Sequence, residues 1–204
     1  MLARLGTLAA IALVVLGVAL GGILVPIDNG LRDVRFGVAT RAVSGNTVFV
    51  DVDSRSLSAI GIWPWPRSIH GQILDTLMQL GAGDVFFDID FSAASNTSDD
   101  HAFAAALERA GGFAYLSGFS QLSPDGPSGG TNLPLPLFRA LADTVSVNIG
   151  VDAQGVVRSY PMSRQLDGVE VPSLAVVLAR ATPRADTSFN IDFGIDPRGI
   201  DRIS

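Results

Sequence analysis

Gly61-Ile62-Trp63-Pro64-Trp65-Pro66-Arg67 holds both tryptophans of the chain, each followed by proline. Proline fixes its own φ near about −65° and drives the residue before it out of the helical region. Residues 63–66 are therefore expected to run extended, with two large indoles held in nearly fixed directions. A hydrophobic run ending in Asp-x-Asp lies on either side: Val48-Phe49-Val50-Asp51-Val52-Asp53 before and Val85-Phe86-Phe87-Asp88-Ile89-Asp90 after. Short β-branched and aromatic runs of this kind read as strands buried on both faces.

Working outward, Ser44-Gly45-Asn46 is a turn signal. Residues 28–43 carry Leu31, Val34, Val38 and Val43 at loose helical spacing, which predicts a helix leading into the domain. Thr47–Asp53 is predicted as the first strand. Ser54–Ile60 follows as a short helix with Leu57 and Ile60 inward and Gly61 as its stop. After the Trp-Pro segment, Ser68 is placed to cap a helix whose Ile69, Ile73, Leu77 and Leu80 share a face, ended by Gly81. Val85–Asp90 is the second strand. Asn96-Thr97-Ser98 opens a helix with Asp99 and Asp100 in its first turn, where the helix dipole favours acids. Phe103, Ala106, Leu107 and Ala110 form its core stripe, and Gly111 ends it. Phe113–Leu116 is a third strand, completing a β-α-β-α-β succession.

Further on, Gln121–Pro136 reads as an exposed loop and Leu137–Ala142 as a short helix. Val145–Val151 and Val156–Tyr160 flank Asp152-Ala153-Gln154-Gly155 and predict a β-hairpin. Pro172-Ser173 opens a helix carrying Leu174, Val177, Leu178 and Ala181, closed by Pro183. Thr187–Phe193 is one more strand, and the last residues show no closing element. The fold class is α/β: a mainly parallel sheet flanked by helices, with a β-hairpin addition and one preceding transmembrane helix.

Composition excludes several function classes. The net charge is −6 and the chain is 48% hydrophobic, so it can bury a full core and has no basic patch to track phosphates; no nucleic-acid partner is expected. All 14 basic residues are arginine. Schiff-base, P-loop-lysine and lysine-base chemistry are therefore excluded. With no cysteine there is no disulfide, thiol nucleophile or thiolate metal site.

Leu5 to Ile27 carries no charge and is rich in Leu, Val, Ile, Ala and Gly. About 20 apolar residues in a helix cross the hydrocarbon core, so residues 1–27 are read as an N-terminal anchor, ended by Pro26 and Asp28. A cleaved signal peptide is the rival, with Ala19-Leu20-Gly21 as its cleavage site, but the apolar run exceeds a signal core of about 7–15 residues. Arg32, Arg35 and Arg41 against Arg4 alone would by count place the larger part inside, although long domains translocate largely regardless of such charges. Gly17-x-x-x-Gly21 has the spacing of a helix-pairing face and suggests a homodimer, while glycine is also common in membrane helices.

The succession Asp33…Arg35, Val50-Asp51-Val52-Asp53-Ser54-Arg55-Ser56-Leu57, Gly61 to Arg67, Gly81-Ala82, and Phe87-Asp88-Ile89-Asp90-Phe91-Ser92 resembles the CHASE2 sensor domain. Asp99-Asp100, Asn148, Asp152…Gly155-Val156-Val157-Arg158, Ser173-Leu174-Ala175 and Asn190…Gly194 are further matches, so the resemblance spans residues 28–204. It implies an extracytoplasmic α/β input module of bacterial membrane receptors, placed after a membrane helix and ahead of a cyclase or kinase output domain. It also implies a ligand or protein signal outside the cytoplasm, without naming one. No returning membrane helix or output domain appears within the 204 residues, and the last strands of such a domain are expected to be missing.

The candidate ligand-binding residues are Asp51, Asp53, Trp63, Trp65, Arg67, Asp88 and Asp90. Alternation puts Phe49, Asp51 and Asp53 on one face of the first strand and Phe86, Asp88 and Asp90 on one face of the second. The acids then cluster at the carboxyl edge, where open α/β sheets bind ligands. Four carboxylates there can hold a hard cation or a cationic ligand, with an indole stacked on it; Arg67 can instead clamp an anion. Each residue also has an architectural reading. Asp53 caps the following helix, Arg67 pairs with Asp51 or Asp88, the indoles pack in the core, and His70 and His101 face solvent or cap helices. No metal site, cofactor or catalytic residue is assigned. The alternative is an anchored hydrolase, since Asp88-Ile89-Asp90-Phe91-Ser92 is superficially similar to the nucleophile loop of haloacid-dehalogenase-like phosphatases. That loop needs a basic partner, usually a lysine the chain lacks. A module that only assembles receptor dimers is a third reading.

Overall fold

The computed structural model describes residues 6, 11, 13–18, 21–22, 24–61, 63–121, 130–152, 154–184 and 187–204. Ile62, residues 122–129 of the predicted loop, Ala153 of the predicted turn and much of the apolar run Leu5–Ile27 lie outside them. The described residues between 11 and 18 are helical. Among the described residues no helix is long and apolar enough to cross a membrane. The chain forms two compact units, one from residues 1–51 and 192–204, the other from residues 52–191.

The first unit contains helix α1 (Val25–Val38) and strand β1 (Val48–Val50). Pro26 sits in the first turn of α1, where its missing N–H costs nothing. Helix α1 thus takes in Val25, Pro26 and Ile27, the last three residues of the apolar run. Strand β1 pairs in parallel with β10 (Asp201–Ile203), Val48 opposite Asp201 and Val50 opposite Ile203. This corrects two expectations. The first predicted strand does not join the sheet of the second, and the last residues do close an element. Arg41 donates its backbone N–H to Gly194 O at 2.7 Å and accepts from Asp196 N–H at 3.0 Å, tying the segment after α1 to the C-terminal segment. An Arg41–Asp192 ion pair and an edge-on Phe36–Phe193 contact, centroids 6.0 Å apart, reinforce that join.

The second unit is built on a parallel sheet of β2 (Val85–Phe87), β3 (Ala114–Ser120) and β5 (Asp143–Ser146), with β3 in the middle. β4 (Thr131–Asn132) pairs antiparallel with the last residues of β3, so the predicted loop ends as a strand, and Pro134 beyond it is buried. Helix α2 (Ser54–Ile60) comes first in this unit, with Ile60 exposed rather than inward. Helix α3 (Arg67–Gln79) packs on helix α4 (Thr97–Ala110) so tightly that a Cβ at Gly71 would lie 3.2 Å from Ala106 Cβ. The predicted stripe Phe103, Ala106, Leu107 and Ala110 is buried. On α3 the buried positions are His70, Gly71 and Leu74, while Leu80 is exposed, so the predicted face is rotated. Pro66, not Ser68, occupies the N-cap of α3. Gly81 ends the helix as expected, with Ala82 N–H bonded to Leu77 O and Gly81 N–H to Met78 O. The core is Leu74, Val85, Phe87, Phe91, Phe103, Leu107, Leu116 and Phe138 with interleaved alanines.

After a short helix α5 (Pro136–Arg139) and β5, the predicted hairpin is replaced. The turn at Asp152–Gly155 exists, with Gly155 N–H on Asp152 O at 2.9 Å, but its flanks do not form a ladder with each other. β6 (Ser159–Pro161) pairs instead with β9 (Ser188–Asn190). The hairpin is β7 (Ser163–Leu166) and β8 (Val169–Pro172), turning through Asp167 and Gly168 at φ of 53° and 76°. Two successive residues at positive φ are what a two-residue hairpin loop requires, and Asp-Gly supplies them. The following helix α6 (Leu174–Leu178) is shorter than predicted, ending as Arg180 turns to a φ of 51°.

Candidate functional site

The tryptophans have different surroundings. Trp65 is 6% exposed and donates its indole N–H to Gly61 O at 3.0 Å, which folds the segment back on the end of α2. Trp63, 40% exposed, lies edge-on to Trp65 at 5.6 Å and to His70 at 5.7 Å, and precedes a cis proline. His70 is 3% exposed, correcting its solvent-facing expectation. It sits among Phe87, Phe91 and Phe103, with ring centroids at 5.5 to 6.3 Å. Burial, then the charge of Arg67, lower its pKa to about 4. The imidazole is therefore neutral at neutral pH.

Arg67 is the first residue of α3. Its guanidinium lies over the Phe91 ring at 4.5 Å, donates to Ala93 O at 2.8 Å and approaches Asp100 at 3.7 Å. Asp100, inside the first turn of α4, also accepts Ser95 N–H at 3.0 Å. The partner of Arg67 is thus Asp100, not Asp51 or Asp88. Burial lowers the Arg67 pKa, and the charges of Asp100 and Asp90 offset this only in part.

The acids are divided. Asp51 belongs to the first unit, where Arg202 from β10 grips it with two bonds of 2.7 Å. Asp53 is the N-cap of α2: its carboxylate accepts Arg55 and Ser56 N–H, and Ser56 Oγ answers its own N–H, a capping box. Asp53→Ala is expected to cost about 1 kcal/mol, measured by chemical unfolding; an unchanged midpoint would remove the cap from the account. Asp88 and Asp90 follow β2 at the carboxyl edge of the parallel sheet. Asp88 and Asp90 share that edge, whereas Asp51 follows a strand of a different sheet and Asp53 caps a helix.

At that edge Asp90 accepts Ser92 N–H and Asn132 Nδ2–H, each at 2.8 Å. Burial pushes its carboxyl up, but the hydrogen bonds from Ser92 and Asn132 and the charge of Arg67 outweigh it, so it titrates below the usual range. Asn148 reaches from beyond β5 and clasps Ser120, accepting its N–H at 2.8 Å and donating to its carbonyl at 2.9 Å. Ser117 donates to Ile89 O at 2.8 Å. Asp88 is exposed; after burial, its charge raises the Tyr160 pKa. Asp152 binds Arg158 at 3.0 Å and accepts Gln154 and Val156 N–H. Asp90 and Asp152 are thus held by neighbours in the chain, while Asp88 is exposed. Among the described residues no three His, Asp or Glu come together as a metal would need.

His70, Asn132 and Tyr160 are members of this region that lie outside the predicted set, and neither spacing nor composition marks them. Asp100, Asn148 and the Asp152–Arg158 pair do coincide with the outlying positions of the resemblance. The matched residues thus share architectural work: Asp100 anchors Arg67, Asn148 locks β3, and Asp152 shapes its turn.

The family model for the CHASE2 domain matches residues 9–200, nearly the whole chain. No curated protein and no solved structure matches. The match begins inside the apolar run and ends in the C-terminal segment that closes on β1, so it takes in both units. The chain belongs to the CHASE2 family of sensory domains.

Proposed function

We propose that residues 28–204 are the signal-receiving input domain of a bacterial membrane receptor, held in the inner membrane by residues 1–27. The domain stands on the periplasmic side, is not catalytic itself, and regulates a cyclase or kinase output domain of the same receptor. The observation that carries this reading is the family match over residues 9–200. The uncharged run Leu5–Ile27 supports the anchor. A ligand or protein signal acts by favouring one of two packings of the domain, since a signal shifts an equilibrium only through its differential affinity for the two states. The carboxyl edge around Asp88 and Asp90, with exposed Trp63 in the same unit, is where such a signal is sought.

The absence of cysteine makes topology directly testable. A single cysteine at exposed Ser98 is expected to react with a membrane-impermeant maleimide in intact spheroplasts, with the chain retained in the membrane fraction. Labelling only after lysis sinks the periplasmic placement. The output half of the reading is tested by the gene beyond codon 204: an in-frame cyclase or kinase supports it, and an immediate stop removes it.

A further inference from the structure

Helix α1 carries a second pattern. Leu24, Ile27, Leu31, Val34 and Val38 recur in alternating steps of three and four residues. That is the a/d spacing of a heptad, with Leu24, Leu31 and Val38 at a and Ile27 and Val34 at d. A helix that only covers its own domain, or lies on lipid, shows a wider stripe at a period of about 3.6. The chain leaves all five side chains uncovered, 46% to 82% exposed.

The opposite side of α1 is occupied. Phe36, at the f position facing away from the a/d stripe, packs edge-on against Phe193. Gly194 lets the C-terminal segment come close: a Cβ there would meet Ala39 O at 2.8 Å and Phe36 Cδ1 at 3.6 Å. The helix is thus fixed to its own unit by one face and presents an unpaired aliphatic seam on the other.

We infer that this seam is a self-association surface, and that its occupant is the same helix of another copy of this chain, in parallel and in register. The parallel orientation rests on the membrane-anchor reading, because two copies anchored through the preceding run leave the membrane side by side. Flanking positions agree with it. In a parallel pair Arg35 at e meets Gly30 at g of the other copy, so no like charges face each other there. Gly30 and Gly37, both at g, add no side chain to hold the helices apart; a Cβ at either would touch nothing in its own chain.

The area is adequate only with the anchor. At roughly 100 Å² per aliphatic side chain, the three seam residues beyond the anchor, Leu31, Val34 and Val38, remove on the order of 600 Å² from water in two copies, about half the lower bound of specific interfaces at about 1,200 Å². A helix this short is marginal alone, but confinement to one membrane raises its effective concentration. Leucine at a with β-branched residues at d favours more than two helices in free coiled coils, so the number of copies is itself measured.

The test uses the full chain in native membranes, with single cysteines in the cysteine-free background. Disulfide cross-linking is expected at Ile27, Leu31, Val34 and Val38, at least ten-fold faster than at Asn29, Arg32 and Asp33 on other faces. Leu31→Asp with Val34→Asp is expected to lower the oligomer fraction in detergent at least ten-fold by mass photometry. Any oligomer with the a/d-selective pattern supports the seam. Uniform or absent cross-linking in a membrane-retained chain overturns it. So does a cysteine at Leu31 that is neither cross-linked nor labelled by a water-soluble maleimide, since lipid is then the occupant. A chain found only in the soluble fraction counts against the anchor reading instead, and a/d-selective cross-links there leave the seam standing.

Discussion

Replacing Arg67 by alanine is expected to lower the unfolding free energy by about 4 kcal/mol. The guanidinium makes four contacts, the weakest with the Phe138 ring at 5.8 Å. It lies over Phe91, donates to Ala93 O, and sits 3.7 Å from the Asp100 carboxylate. Asp100 is buried, and one of its oxygens has no hydrogen-bond partner, so the nearby cation is its main compensation. Removing the arginine leaves a buried charge uncompensated, which is far costlier than losing an exposed pair. The cation–π contact adds a smaller loss. Arg67→Ala with Asp100→Asn should recover part of the deficit, because the orphaned charge goes with its partner. Urea unfolding followed by tryptophan fluorescence reads both variants. A loss below about 1 kcal/mol for Arg67→Ala would reject the brace. Unchanged stability with a lost signalling response would reassign Arg67 to ligand binding.

The second large effect is acid lability centred on His70. Folded His70 takes up its proton only at about 4, whereas its reference value is 6.5. Between these values the unfolded chain binds more protons than the folded one. Stability is therefore full above the unfolded value and falls as pH drops towards about 4. That span corresponds to about 3 kcal/mol for this one group. His70→Leu is expected to flatten the profile in this window, whatever it costs in packing, because the titrating ring is gone. Carboxylates such as Asp90, whose pKa is lowered, add their own loss at more acidic pH. The difference between the wild-type and variant profiles from pH 7 to 4 isolates the histidine. Parallel profiles would show that His70 protonates without cost.

Local signals were readable because they act within a few residues. Asp53, Asn96, Gly81 and Gly111 each end or begin a helix through their own side chain or φ. The face of α3 is misread because two of its three buried positions are His70 and Gly71, which carry no hydrophobic signal. His70 is buried by an aromatic nest assembled from three other segments. Gly71 is buried because α4 needs the space. The partner of β1 was not readable either. Val48 pairs with Asp201, and nothing near either residue announces the other. The sheet of each Asp-x-Asp strand was not readable for the same reason: alternation fixes which side chains share a strand face, not which strands share a sheet. The Trp-Pro-Trp-Pro-Arg block was readable as the centre of the second unit, but its roles divide. Trp65 and Arg67 hold the core together, and Trp63 is the part left at the surface.

The parallel pairing of β1 with β10 also orders events during synthesis. Residues 52–191 contain the larger unit entire, so it can pack before residues 192–204 leave the ribosome. Strand β1 is made early yet has no partner until residues 201–203 emerge. Its apolar side chains must wait through the making of the whole intervening unit, since a contact this distant in sequence forms only after the loop between has been closed. The strand made before residues 52–191 is thus completed after them. A defect anywhere in residues 52–191 that delays packing would leave a valine-rich strand unpaired, where pairing between nascent chains is the competing outcome.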